Sequence, residues 1–341
     1  MGTRNQVQAI MSALALTLEK ARAEYGTTLR KVRWGDGPIY VCGVGNYSAL
    51  GLAAGLAFES FGGWHVVARP PEVFLNYSLS LLQSRSVLVL ISPPGEWPEA
   101  QELAARAHER GGTVVAMANT MDSPLVKLAD HAFLVRAEGA GDSPAIAVSM
   151  HAALHLLAFK VTQALKKPKP IWEQVDRDFD LLPGKLEWVF TQLSGVVDSL
   201  VEEAAHFPRL CLVGGGFNYY PVRHAAWRMH SLASPRVEEV EATEFSSAAS
   251  HFARRGDAAL FVSGSHSKLK KTIHRAAAQA RAQEVRVLSL TDSNDRELVE
   301  GSDLGILVPQ LQEAPASTLA LFLLEWLAME TLRTPQQVKP R

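Results

Sequence analysis

IYVCGVGNYSAL, residues 39–50, runs a short apolar segment into a glycine turn and then into residues of helical period. It has a counterpart in LCLVGGGFNYYPV, residues 210–222, which sets Gly43 and Gly45 against Gly214 and Gly216. A second pair of turns, VLVLISPPGE at 87–96 and ALFVSGSHSK at 259–268, sets Ser92 against Ser263. Subtraction gives 171 for both the glycine and the serine pair, about the length of one domain. The chain therefore reads as two copies of one unit. Within each copy, Val/Leu/Ile-rich runs bounded by Gly, Ser or Pro alternate with helical segments such as PEAQELAARAHERGG at 98–112. That alternation predicts an α/β fold, a parallel sheet flanked by helices in each half. The expected division is an N-terminal helix over 1–34, a first domain over 35–165, a linker over 166–185, and a second domain with a C-terminal tail over 186–341. Prolines and charges in KKPKPIWEQVDRDFDLLPGK mark the linker.

The whole-chain numbers exclude several classes of function. The 341 residues are 47% hydrophobic and 20% charged, with a formal net charge of −1, so no global field favours nucleic acid. The two cysteines, Cys42 and Cys211, lack metal spacing and suit a reducing cytoplasm. The N-terminal segment has polar residues among its apolar ones and reads as an amphipathic helix, not a signal peptide. No uninterrupted apolar run reaches the roughly 18 residues a membrane span needs, and STLALFLLEWLAMETL carries Glu325 and Glu330. A cytoplasmic protein with no membrane or nucleic-acid partner is the expectation.

In an open parallel sheet, ligands bind at the carboxyl ends of the strands, where both glycine turns and both serine turns fall. The first glycine turn is not a dinucleotide fingerprint, because its third glycine comes too late and the second strand ends in Arg69, not an acid. Its glycines either bring backbone N–H groups to an anion or merely permit a tight turn. SGSHSK offers the hydroxyls of Ser263, Ser265 and Ser267, free amides and Lys268 at a helix start, a plausible phosphate nest; capping alone would explain one of the three serines. In the first copy, Pro93 and Pro94 remove two donors, Trp97 stands where a hydroxyl would serve, and Ser92, Gly95 and Glu96 remain. His151 and His155, spaced i and i+4 with no nearby acid at ligand spacing, read as packing residues, so no metal is expected.

Two copies of strand, glycine turn, strand and serine turn resemble the tandem sugar isomerase (SIS) family of phosphosugar-binding proteins, over residues 35–341. CGVGNYSALGLAAGLAFESFGG is similar to the family's glycine turn and its FES-x-x-G helix, ISPPGEWPEA to its S-Q-S-G-E-T phosphate loop, and GGGFNYYPVRHAAWRMHS to its Y-P-x-A-x-E-G-A-L-K-L-K-E helix. The resemblance implies a flavodoxin-like sheet in each half, a homodimer, no cofactor, and a sugar phosphate or amino-sugar phosphate as ligand. The candidate ligand-binding residues, from the residues themselves and from the resemblance, are Gly43, Gly45, Asn46, Ser92, Gly95, Gly214, Gly216, Asn218, Arg228, Ser263, Ser265, Ser267 and the tail residue Lys339.

The departures bear on activity. The family helix carries Glu, Lys and a second Glu where this chain has His224, Arg228 and Ser231, and the family's E-L-K-H-G-P falls on EFSSAA, with Ser247 at the histidine position. A serine cannot replace the carboxylate that shuttles a proton between adjacent carbons. The expected function is a phosphosugar isomerase or deglycase with Glu244 and His224 as acid and base. The alternative is a sugar-phosphate binding or regulatory protein that has lost catalysis. Arg228 either holds a phosphate or pairs with Glu238 or Glu239. Gly2, with no cysteine after Met1, argues against glutamine-dependent ammonia transfer.

Overall fold

The computed structural model describes residues 2–139, 141, 143–204, 206–231 and 236–331. Within them the chain runs α1 (Thr3–Thr28), β1 (Ile39–Gly43), α2 (Tyr47–Gly62), β2 (Val66–Ala68), α3 (Pro71–Tyr77), β3 (Val87–Ile91), α4 (Pro98–Glu109), β4 (Thr113–Ala118), α5 (Pro124–Leu128), β5 (His131–Leu134) and α6 (Pro144–Leu165). It continues through α7 (Ile171–Gln192), α8 (Ser194–Ala204), β6 (Leu210–Gly214), α9 (Tyr219–Ser231), β7 (Val237–Glu241), α10 (Ala242–Phe252), β8 (Ala258–Val262), α11 (Lys270–Ala282), β9 (Arg286–Asp292), α12 (Arg296–Glu300), β10 (Leu304–Val308) and α13 (Glu313–Thr331). Gln8–Asp180 form one compact unit; the chain from Leu181, with the first seven residues, forms the other.

Among the described residues each unit holds a five-stranded sheet, in the order β2-β1-β3-β4-β5 in the first and β7-β6-β8-β9-β10 in the second. Every pairing is parallel. The strand order 2-1-3-4-5, repeated in both units, is the flavodoxin-like one. The inner strands β1, β3, β6 and β8 are buried at every position. Helices cover both faces of a parallel sheet, so such strands read as continuous apolar runs, not as alternation. β1 and β6 begin at Ile39 and Leu210, and β3 and β8 at Val87 and Ala258, reproducing the 171-residue offset.

One sequence expectation needs correction. Most of the segment read as a linker is helix: α7 begins at Ile171 and carries Pro183 inside it. Trp172, Val175, Phe179, Leu182, Leu186 and Val189 recur at three- and four-residue spacing and are buried, and this stripe holds the helix through the proline. The division between the units falls within it. α6 is long and apolar enough to cross a membrane by length and composition, with isolated polar residues such as His151 and His155 interrupting its apolar run, and it is buried inside the protein.

Candidate functional site

In the first unit, the turn after β1 needs its glycines for steric reasons. A Cβ on Gly43 would lie 1.9 Å from the Tyr47 carbonyl oxygen, and Gly45 has φ +57°. The N–H groups of Tyr47, Ser48 and Ala49 donate to the carbonyls of Val44, Gly45 and Asn46, so the opening turn of α2 consumes the amides an anion would use. Asn46 stands at the N-cap position with its side chain half-buried.

The loop after β3 is likewise closed on itself. Ser92 is buried, and its Oγ accepts the Gly95 N–H at 3.2 Å. The Pro93 carbonyl accepts from Asn119 at 2.8 Å and Thr120 at 3.2 Å, and the Gly95 carbonyl accepts from Leu125 at 3.0 Å. Gly95 has φ +68°, and a Cβ there would sit 2.2 Å from Ser123 Oγ. The amide that follows the two prolines is thus bonded within the loop. Trp97, half-exposed at the N-cap position of α4, makes no side-chain capping bond.

The second unit repeats the glycine turn. A Cβ on Gly214 would lie 2.7 Å from the Asn218 carbonyl oxygen, Gly216 has φ +58°, and Asn218 is buried. The loop after β8 differs from its first-unit counterpart. Ser263 is buried, and its Oγ meets no hydrogen-bond partner among the described residues. Ser265 donates its N–H to Asp292 Oδ2 at 2.7 Å and accepts from Gln310 at 3.0 Å. Ser267 is buried, and its Oγ accepts the Leu269 N–H at 3.3 Å in the turn before α11, whose own N-cap position, Leu269, has no side-chain capping bond. The Glu313 carboxylate accepts the Lys268 N–H at 3.2 Å and a side-chain hydrogen bond from Ser267. Burial raises the Glu313 carboxyl above its ordinary pKa, and these hydrogen bonds act against the rise. Glu313 Oε1 would also stand 3.7 Å from a Cβ on Gly216, so this carboxylate lies between the glycine turn and the serine loop.

On α9, Tyr220, His224 and Arg228 succeed one another at four-residue spacing and face α13. His224 is fully buried. Its Nε2 lies 2.7 Å from Oε1 of Glu325, and its Nδ1 lies 3.3 Å from the Tyr220 hydroxyl. The same carboxylate meets Arg228 Nε at 2.5 Å, so Arg228 pairs with Glu325 and not with the expected Glu238 or Glu239. Trp227 flanks the cluster, its ring 5.9 Å from that of His224. Both His224 ring nitrogens are thus taken by groups other than Glu244. Glu244 is exposed on α10, where its backbone carbonyl accepts from Ser247 Oγ at 2.8 Å. The structure therefore does not assemble Glu244 and His224 into the expected acid/base pair. Lys339 lies outside the described residues.

The family profile of the SIS domain matches residues 36–163 and 205–330, about three quarters of the chain. The chain belongs to the SIS domain family. Solved structures share the architecture over almost its whole length. The C-terminal domain of glucosamine-fructose-6-phosphate aminotransferase from Francisella tularensis superposes with a TM-score of 0.83 at 14% identity, covering 97% of this chain and 95% of that one. Tagatose-6-phosphate ketose/aldose isomerase from Escherichia coli gives 0.78 at 16% identity, over 98% and 94%. Glucosamine-6-phosphate deaminase from Thermotoga maritima gives 0.71 at 14%, over 96% and 94%. At these identities the likeness establishes the fold. No curated protein matches the chain.

In the second SIS domain the structure groups Gly214, Gly216, Ser263, Ser265 and Ser267 at the carboxyl edge of the sheet and joins to them Asp292, Gln310 and Glu313, which the sequence reading left out. In the first SIS domain Gly43, Gly45, Asn46, Ser92 and Gly95 occupy the corresponding edge, with the Ser92 and Gly95 amides internally bonded. Arg228 and His224 belong to a separate buried cluster centred on Glu325. Glu325 was detectable in the sequence: a carboxylate flanked on both sides by apolar residues in a helix has to be paired when that helix is buried.

Proposed function

We propose that this SIS protein binds a phosphorylated sugar or amino sugar at the serine loop of its second domain and holds it without isomerising it. The observation that supports binding is Ser263 Oγ, a buried hydroxyl at the opening of the serine loop with no hydrogen-bond partner among the described residues. A buried polar group left unsatisfied costs free energy that a ligand oxygen would recover. The observation against turnover is His224, fully buried between Glu325 and Tyr220, which closes off the residue expected to act as the base on α9.

A thermal-shift titration with glucose 6-phosphate, fructose 6-phosphate, glucosamine 6-phosphate and fructosamine-type phosphates tests the binding claim. A ligand at about a hundred times its Kd adds roughly 2.7 kcal/mol of stability. Ser263→Ala removes a hydroxyl with no internal bond to lose, so the unliganded variant melts with the wild type while ligand binding weakens by about tenfold or more. No shift with any ligand, or an unchanged shift in the variant, contradicts the assignment.

A further inference from the structure

The serine loop of the second domain already holds an oxyanion, and the chain supplies it. The Glu313 carboxylate takes the Lys268 N–H and the Ser267 hydroxyl, two of the donors a phosphate at this loop would use. It sits against Gly216 of the neighbouring glycine turn. One further donor, the buried Ser263 hydroxyl, finds no partner among the described residues, so a single carboxylate leaves the site incompletely filled. A phosphate has more oxygens than a carboxylate and can reach more of these donors at once.

We propose that Glu313 is the resident occupant of this oxyanion site, and that a phosphate-bearing ligand binds by displacing it, so that the opening turn of α13 serves as an internal competitor. The identity of the ligand as a sugar phosphate rests on the function proposed above; the exchange of one oxyanion for another does not. The physical driving forces are legible in the contacts. Glu313 is held in place by tethering and not by an ideal environment, because burial disfavours its charged form. A tethered group competes at high effective concentration, and the apparent affinity of a rival ligand falls by the fraction of time the site stands open. Ser265 and Gln310 are not part of the exchange: the Ser265 N–H stays on Asp292, and Gln310 stays on the Ser265 hydroxyl. Displacement frees the first turn of α13 from the loop while Glu325, three turns further on, keeps its pairs with His224 and Arg228.

Calorimetric titration of the full chain with inorganic phosphate tests the exchange, using the wild type, Glu313→Ala and Glu313→Gln, with glucosamine 6-phosphate titrated in parallel. Removing the carboxylate tightens phosphate binding by about tenfold in both variants, and adding Ser267→Ala to either reverses the gain. Hydrogen exchange on the wild type provides a measurement that needs no variant: saturating phosphate speeds exchange in residues 313–317. Unchanged or weaker phosphate binding in the folded variants, no phosphate binding by any of the proteins, or no change in exchange overturns the proposal. Equal binding of glucosamine 6-phosphate by wild type and variants overturns the internal competitor and leaves the phosphosugar reading standing. Tighter phosphate binding in the variants, with no sugar phosphate bound better than phosphate itself, supports the competitor and removes the phosphosugar reading.

Discussion

Glu325 shows how one residue can redirect a whole helix. It is fully buried and meets both His224 and Arg228 of α9. A buried charge of either sign is tolerated only when paired, and breaking such a cluster by removing one member costs about 3–5 kcal/mol. Glu325→Ala leaves His224 and Arg228 facing each other without a counter-charge, and urea unfolding should show a loss of that size. Arg228→Ala should cost less, because His224 remains to pair with the carboxylate. Equal costs for the two variants would mean that the carboxylate is not the centre of the cluster. Residue-level reading of the sequence succeeded where sterics alone decide, as at Gly43, whose absent side chain makes room for the Tyr47 carbonyl. It failed where the partner lies far along the chain. Nothing near His224 in the sequence announces Glu325, and nothing near Ser267 announces Glu313.

Among the elements, α6 carries the clearest pH signature. His151 and His155 are fully buried in it with their rings 4.1 Å apart. Burial pushes the His155 imidazole down to about 3, with a backbone hydrogen bond to Ala53 acting weakly the other way. In the unfolded chain the same group takes up its proton near the ordinary value of about 6.5. The folded pKa is thus the lower one, so the contribution is whole above about pH 6.5 and is lost as the pH falls toward about 3, at no more than roughly 1.4 kcal/mol per pH unit. His155→Met should flatten the fall in stability between pH 6.5 and 4.5 by about that slope, measured by urea unfolding of both proteins at each pH. Parallel slopes in variant and wild type would count against this account. The sequence spacing identified the two histidines as packing residues, and their burial agrees. α7 was legible only in part: a proline and a run of charges suggested a break, while the buried stripe from Trp172 to Val189 outweighed both.

For the whole molecule, the duplication was the strongest signal in the sequence, because two independent turns repeat at one offset and each turn demands particular residues. The parallel sheets followed from the same signal, since strands buried on both faces leave continuous apolar runs. The function was less legible, because it depends on which donors remain after the chain has satisfied its own. Ser92 and Ser263 are equivalent by offset, yet one closes its own turn and the other meets no partner among the described residues. The central claim, binding without isomerisation, is tested most directly by incubating the protein in deuterium oxide with whichever sugar phosphate stabilises it, and following the carbon next to the carbonyl by NMR. An isomerase exchanges that proton with solvent as it shuttles it between adjacent carbons. The account predicts no deuterium at that carbon beyond the protein-free control and no second sugar; deuterium incorporation or conversion above the control contradicts it.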